Sequence, residues 1–234
     1  QRSYDELWHD LCLNCAPATI LDIGASVFGA SAETHLNYFD LAMLGSLPNL
    51  RVFAPACVEE YLLMLDWSLG QRELPVVIRV PGTKPVSRPD LVADFTDAPD
   101  FSKPAYRVVK HGQDAAVLAL GDFFDLIELG ERVVAALAEH GIQATLVNPR
   151  FASEFDEELI SSLPDRHRVV VTLEDGVLAG GWGEKIARRL SDRDVRVRCY
   201  GIDNHFHDRF DPRKLLEQNG VTVEGIVRDI TSLL

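Results

Sequence analysis

The segment from position 169 to position 184 constrains the fold of this chain more than any other. It opens with three consecutive valines, passes through Glu174 and Asp175, and then carries four glycines. A β-branched run predicts a buried strand, and glycines before a helical pattern predict a tight turn and a helix start. Glu174 and Asp175 fall at the predicted end of the strand, where side chains can point into a crevice.

The same rhythm of strands and helices runs through the rest of the chain. Apolar runs predict strands at residues 18–23, 50–54, 75–80, 114–121, 142–147, 169–173 and 195–200. Helical periodicity and end signals predict helices at residues 1–13, 39–47, 58–70, 126–140, 155–163, 183–190, 212–218 and 223–234. Strands that alternate with helices predict parallel sheets, and the fold class is therefore doubly wound α/β.

A proline-rich stretch divides the chain. Five prolines lie between positions 81 and 104, with Asp, Ser and Thr between them and little periodicity. Proline fixes φ and lacks a hydrogen-bond donor, so this stretch predicts an extended linker. We place a domain boundary within it, with a first domain at residues 1–98 and a second at residues 99–234.

Composition limits the possible partners. The net charge of −13 disfavours nucleic acid and anionic membrane surfaces, and an anionic substrate would require a local basic pocket. The sequence contains neither an apolar run long enough to span a bilayer nor a signal-peptide pattern at its start. The expected location is the cytoplasm.

Two short motifs contain residues that could bind metal. Cys12 and Cys15 have C-x-x-C spacing, with His9 one helical turn before them, and His205 and His207 lie beside Asp203. No second pair follows the cysteines at a zinc-like spacing, and two histidines two positions apart lack an evident distant ligand. The prediction is no metal site. The four cysteines are expected to be reduced.

Several motifs occur together in a recognisable order. In the first half they are Gln-Arg-Ser-Tyr-Asp at residues 1–5, Thr34-His35, Phe39-Asp40, Leu-Pro-Asn at 47–49 and Ala-Pro-Ala at 54–56. In the second half they are Val-Asn-Pro-Arg-Phe at 147–151, the acidic segment at 172–176 and the glycines at 179–183. This order resembles the 1-deoxy-D-xylulose-5-phosphate synthase family of transketolase-type enzymes.

The resemblance implies a partial pyrimidine-binding α/β domain followed by a transketolase C-terminal-like, mostly parallel sheet domain. It implies a homodimeric enzyme that uses thiamine diphosphate and Mg²⁺ to decarboxylate pyruvate and join the two-carbon unit to glyceraldehyde 3-phosphate. The family's activating glutamate and metal ligands lie upstream of the position that matches Gln1. This chain is therefore expected to be a C-terminal portion that neither binds the cofactor nor acts alone. Glu174 and Asp175 are then turn and interface groups, not catalytic acids.

The resemblance also assigns site residues. His35 matches the family's active-site histidine and is the predicted catalytic residue, since an imidazole can move protons near neutral pH. Arg2 and Tyr4 match a segment that lines the cofactor pocket. Without the resemblance, His35 would be interpreted as a structural loop histidine, and Arg2 and Tyr4 as the start of a surface helix.

Three departures from the family pattern keep other functions open. Ile23 and Gly82 replace arginines, and Ser31 replaces an aspartate. Loss of the arginines removes charge-assisted contacts to a phosphate. The alternatives are a catalytically degenerate paralogue or assembly subunit, and the β-subunit of a 2-oxo-acid dehydrogenase or of a split transketolase.

Overall fold

The computed structural model describes residues 2–95, 99–121 and 126–234. The first half contains α1 (Tyr4–Glu6), a π-helix (Leu7–Cys12), β1 (Thr19–Ala25), a 3₁₀ turn (Glu33–His35), α2 (Asp40–Leu44), β2 (Arg51–Phe53), α3 (Val58–Gly70), β3 (Val76–Pro81) and a second 3₁₀ turn (Pro89–Val92). The second half contains β4 (Arg107–Lys110), β5 (Ala115–Ala119), α4 (Leu126–Glu139), β6 (Ala144–Asn148), α5 (Glu157–Ser162), a 3₁₀ turn (Leu163–Asp165), β7 (Val169–Val177), α6 (Trp182–Arg189), β8 (Arg196–Ile202), α7 (Pro212–Gln218) and α8 (Val223–Leu233).

Two sheets organise these elements. The first has the order β1-β3-β2 and is parallel throughout. The second has the order β4-β6-β5-β7-β8 and is parallel except at β4, which pairs antiparallel with β6. Every residue of β5, β6 and β7 is buried, as expected when helices cover both faces of a parallel sheet. The predicted α/β fold class is confirmed.

Two features of the second sheet differ from the prediction. Strand β4 was not predicted, because its four residues are only half-buried or exposed and carry no apolar run. Strand β7 continues through Glu174 and Asp175 to Val177, so the predicted turn at these acidic residues is wrong. The strand continues because the N–H of Val177 donates to the carbonyl of Tyr38 (2.8 Å), a partner far away in sequence.

The first helix also differs from the prediction. An α-helix with a buried stripe was expected over residues 1–13, but a single α-turn leads into a π-helix. Cys12 is buried, Leu7 and Leu11 are half-buried, and Trp8 is 47% exposed. The apolar stripe therefore lines an open cavity instead of a packed interface.

The proline-rich stretch is not an extended linker. Leu91 and Phe101 are buried, and Arg88 bonds the carboxylate of Glu131 (2.7 Å) while its N–H donates to Glu59 (2.9 Å). Side-chain packing, this ion pair and this hydrogen bond outweigh the extended preference of proline. The predicted boundary at residue 98 falls within residues 96–98, outside the described residues, and stays a prediction.

The two halves pack tightly against each other. The N–H of Ala54 donates to the carbonyl of Arg150, and the N–H of Ala152 donates to the carbonyl of Val52, both at 2.8 Å. The Arg150 side chain is buried and bonds Glu60 at 2.7 Å. Among the described helices, none combines the length and apolar character that crossing a membrane requires.

Candidate functional site

The segment that follows β1 carries the predicted catalytic residue. Gly24 and Ser26 have positive φ angles of 85° and 79°, which reverse the chain at the end of the strand. A Cβ atom at Gly29 would lie 1.9 Å from the Gly24 carbonyl oxygen, so only glycine fits this close approach. The chain then forms the 3₁₀ turn that ends at His35.

His35 is exposed at the end of this turn. The Nδ1 atom of its ring lies 2.8 Å from the hydroxyl of Thr34. The backbone N–H of His35 donates to the carbonyl of Ala32 at 2.8 Å. The Thr34 contact orients the ring, and exposure leaves the imidazole accessible to a ligand. An oriented, accessible imidazole can exchange a proton with a bound substrate.

A cavity of about 510 Å³ lies beside this segment. Its wall combines apolar side chains of the π-helix and β1 with the polar side chains of Tyr4, Asp22 and Asn37. Asn37 donates to one oxygen of Asp22 at 2.9 Å, and the other oxygen of Asp22 is buried with no hydrogen-bond partner in the part of the chain that the structure describes. Tyr4 donates from its hydroxyl to the carbonyl of Met43 at 3.2 Å.

The structure brings the predicted site residues together only in part. Tyr4 lines the cavity, and Asn37, two residues after His35, lies in the same wall. Within the described part of the chain, Arg2 is exposed and neither it nor His35 belongs to this wall.

Thiamine diphosphate fits this cavity only at its ring end. The apolar wall suits a flat ring, and the buried Asp22 oxygen that lacks a partner among the described residues suits a hydrogen-bond donor on that ring. The charged side chains in the wall are those of Glu6, Asp10 and Asp22, which would repel a diphosphate. The residues of this wall therefore do not fit the diphosphate or its metal.

The hydroxyl of Tyr38 ties the His35 segment to the second half of the chain. It donates to the carbonyl of His205 at 2.8 Å and accepts from the N–H of His207 at 3.2 Å. Burial raises the pKa of Tyr38, which keeps the hydroxyl protonated and able to donate. Two further hydrogen bonds add to this attachment. The backbone N–H of Glu33 donates to the side-chain carboxylate of Asp208 (3.2 Å), and the backbone N–H of Arg209 donates to the Ser31 carbonyl (2.7 Å).

A buried ionic cluster lies where the two halves meet. Arg79 donates to both oxygens of Asp40 at 2.6 Å and 3.3 Å, and forms an ion pair with Asp175 at 3.0 Å. All three side chains are fully buried. Burial raises the pKa of Asp40 to about 7, although the charge of Arg79 opposes the rise. Asp175 is thus an interface group, as the resemblance implied.

Glu174 faces the start of α6. Its two oxygens accept the N–H groups of Trp182 at 2.9 Å and Gly183 at 2.8 Å. Burial raises the pKa of Glu174 to about 8, although these two hydrogen bonds favour the ionised form. The carboxyl group therefore fixes the helix start and does not reach solvent.

The two metal-like motifs are arranged differently from a metal centre. Cys12 is buried and Cys15 exposed, and both are free thiols. Asp203 lies between His205 Nδ1 at 2.6 Å and His207 Nε2 at 2.8 Å. Across residues 2–95, 99–121 and 126–234, no group of three His, Cys, Asp or Glu residues could hold a metal ion.

The structure shows the surroundings of the three positions that depart from the family pattern, Ile23, Ser31 and Gly82. Ile23 is 77% exposed, and the carbonyl of Ser31 accepts the N–H of Arg209. A Cβ atom at Gly82 would lie 2.3 Å from the Phe28 carbonyl oxygen. The backbone at Gly82 therefore leaves no room for a side chain, including the arginine that the resemblance implied at this position.

Comparisons with known proteins give consistent results. The family model described as "Transketolase, C-terminal domain" matches residues 105–226. The 1-deoxy-D-xylulose-5-phosphate synthase of Clostridium tetani is 30% identical, with 100% of this chain and 37% of that protein covered. The synthase of Pelotomaculum thermopropionicum is 33% identical, with 98% and 35% covered. The chain thus spans about a third of the length of these relatives.

One solved structure has the same fold. It is titled "Split gene transketolase, inactive beta4 tetramer" and matches with a TM-score of 0.82 at 24% identity. The match covers 100% of this chain and 72% of that chain. The fold implied by the sequence motifs is therefore confirmed across both halves.

Proposed function

Because this chain belongs to the transketolase family, we propose that it supplies the C-terminal portion of a thiamine-diphosphate-dependent transferase of the 1-deoxy-D-xylulose-5-phosphate synthase type. The proposed substrates are pyruvate and glyceraldehyde 3-phosphate. One observation supports this function most strongly: the segment that carries His35 also contributes Asn37 to the cavity that contains Tyr4. The matches to synthases over 98% or more of this chain agree with it.

His35 would transfer protons at the reacting centre. Its ring is accessible, and Thr34 holds its Nδ1 in a defined direction. The cofactor, when bound, supplies the carbanion chemistry, and the protein orients the reactants and moves protons. Tyr4, Asp22 and Asn37 would orient the ring end of the cofactor and keep water from it.

We further propose that residues 1–234 do not act alone and that the active protein is a homodimer that also uses Mg²⁺. The cavity wall supports the first statement, since its charged groups are acidic and unsuited to a diphosphate. Cations or a metal ion from another part of the protein would have to hold that group.

A catalytically degenerate paralogue or assembly subunit is the second candidate. Two observations favour it: Gly82 has no room for an arginine, and Ile23 presents an apolar side chain to solvent where the family has a cation. The solved structure of the same fold is, by its title, an inactive β4 tetramer of a split-gene transketolase. The β-subunit of a 2-oxo-acid dehydrogenase or of a split transketolase is a third candidate.

A chimera separates the first two candidates. The aligned C-terminal portion of the Clostridium tetani synthase is replaced by this chain, and product formation from pyruvate and glyceraldehyde 3-phosphate is measured by mass spectrometry. The synthase function predicts cofactor-dependent product. A folded chimera that binds thiamine diphosphate but forms no product and releases no CO₂ would support the degenerate subunit. Before this assay, circular dichroism establishes that the chimera is folded. Quenching of its intrinsic fluorescence by thiamine diphosphate establishes that it binds the cofactor.

A further inference from the structure

The C-x-x-C motif at the end of the π-helix is not used by the proposed function. Cys12 is the last residue of this helix, and Cys15 follows it across a two-residue turn. The N–H of Cys15 donates to the carbonyl of Cys12 at 3.3 Å. A hydrogen bond of this kind closes a four-residue turn, in which the first and last Cα atoms are less than about 7 Å apart. Disulfides join Cα atoms that are about 4.4–6.8 Å apart, so the turn brings the two cysteines within bonding range.

Side-chain hydrogen bonds hold this turn in shape. The side chain of Asn14 donates to two carbonyls of the preceding helix, at 2.9 Å and 3.3 Å. The side chain of Asn49 donates to the carbonyl of Cys12 at 3.2 Å. Cys15 has a positive φ of 48°, a backbone conformation that is unfavourable for residues other than glycine and that is concentrated at functional sites. The two cysteines are therefore held close together before any bond forms between them.

The two thiols differ in accessibility. Cys15 is exposed, whereas Cys12 is completely buried among apolar side chains. Burial, and to a lesser degree the neighbouring Cys15 thiol, raises the pKa of Cys12. A dissolved disulfide can therefore reach only Cys15 of this pair, and Cys12 remains as the internal thiol that displaces it. An exposed attacking thiol beside a resolving thiol is an arrangement typical of redox-sensing cysteines.

We propose that Cys12 and Cys15 form a reversible disulfide by exchange with a small-molecule disulfide. In the first step the thiolate of Cys15 attacks one sulfur of the small disulfide, the S–S bond of that molecule breaks, and one thiolate leaves. In the second step the thiolate of Cys12 attacks Sγ of Cys15, the mixed disulfide breaks, and the second thiolate leaves. The protein loses two electrons and two protons, and the small disulfide takes them up to become two thiols.

The proposed disulfide acts on the wall of the cavity that contains Tyr4. Three residues of the same π-helix line this cavity: Leu7, Asp10 and Leu11. The N–H of Ala16, directly after the turn, donates to the carbonyl of Leu11 at 2.9 Å. A cross-link across the turn therefore restricts the opening of this helix end. The disulfide does not require the proposed transferase function, because it involves neither a cofactor nor residues outside this chain.

Mass spectrometry of the purified chain tests the disulfide directly. The protein is equilibrated with mixtures of reduced and oxidised glutathione, its free thiols are blocked with iodoacetamide in urea, and its peptides are analysed. In the wild type we expect a disulfide between residues 12 and 15 that dithiothreitol reverses. In Cys12→Ser we expect at least about tenfold more glutathione mixed disulfide on Cys15 than in the wild type, because the resolving thiol is missing.

Two further variants complete the test. Cys15→Ser should leave the buried Cys12 unreacted. The matched control is Cys199→Ser, which removes a half-buried thiol elsewhere and should leave the disulfide between residues 12 and 15 unchanged. Hydrogen exchange of the wild type measures the effect on the cavity wall: residues 7–16 should exchange at least about threefold more slowly in the oxidised form, whereas residues 223–233 of α8 should exchange equally in both forms.

Several results would overturn the proposal. They are a glutathione mixed disulfide on Cys15 as the stable product in the wild type, a disulfide that links Cys12 or Cys15 to another cysteine or to a second molecule, and full alkylation of both thiols in excess oxidised glutathione. Equal exchange of residues 7–16 in both forms would exclude the effect on the cavity wall. Because Cys15 is exposed, Cys15→Ser tests the site even if Cys12→Ser, at a buried position, does not fold.

Discussion

Replacement of Arg79 by methionine tests the role of the buried ionic cluster. In the wild type, Arg79 is the cation between the fully buried carboxylates of Asp40 and Asp175. Its loss leaves both carboxylates without their counter-charge in a site from which water is excluded. Removal of one member of a buried ion pair costs about 3–5 kcal/mol, and methionine retains most of the side-chain volume. We expect a loss of unfolding free energy in this range at pH 8.

The same loss can be expressed as a melting temperature. At about 2.1 cal/mol/K per residue, a chain of 234 residues has an unfolding entropy of about 0.5 kcal/mol/K. The expected decrease in Tm is therefore about 6–10 °C. The control is Arg166→Met, since Arg166 is exposed and its replacement should change stability by less than about 0.5 kcal/mol.

The pH dependence of the loss identifies its cause. Arg79 opposes the rise in the pKa of Asp40, so its removal raises that pKa further above about 7. At pH 6 the carboxyl of Asp40 is then neutral in the variant, and the cost of an unpaired buried charge is smaller than at pH 8. Urea unfolding at both pH values measures the difference. A loss below about 1 kcal/mol at pH 8, or an equal loss at both pH values, would refute the ionic explanation.

Three further predictions concern single side chains. Folding raises the pKa of Glu174 from 4.5 to about 8, so the folded state retains a proton that the unfolded state releases. The free energy of unfolding should therefore decline as pH rises from 4.5 to 8. Urea unfolding of Glu174→Gln should show a shallower decline over this pH range. Tyr38→Phe should increase hydrogen exchange in residues 26–38, whereas Tyr200→Phe, which removes a bond to Asp229, should leave that exchange unchanged. Gly29→Ala should lower the free energy of unfolding by about 1–3 kcal/mol, because the added Cβ would meet the Gly24 carbonyl oxygen. The control is Gly70→Ala, which has open space around it and should change stability by less than about 0.5 kcal/mol. Thermal unfolding measures both.

Local sequence patterns predicted much of the fold. The bounds of α3 and α7 match the prediction, and β5, β6 and β7 were located because continuous apolar runs require burial on both faces. Strand β4 was missed because its half-buried residues give no such run, and the continuation of β7 was missed because it depends on Tyr38. Contacts between residues far apart in sequence leave no local pattern.

The candidate site shows the same division. The position of His35 in a loop after β1 followed from the motif that contains it. Tyr4 lies in a cavity wall, and its contact with a cofactor stays a prediction. The ionic cluster around Arg79 was not predicted, since its two carboxylates come from α2 and β7.

The central claim is that His35 transfers protons in a transketolase-type reaction. The most direct measurement is the rate of CO₂ release from pyruvate by the Clostridium tetani chimera, with His35 intact and with His35→Ala. Loss of a general acid or base lowers rates by about 10²–10⁴-fold, and we expect a decrease in this range with cofactor binding preserved. The control is His111→Ala, which alters an exposed histidine elsewhere. Equal rates for the intact and His35→Ala chimeras would contradict the assignment.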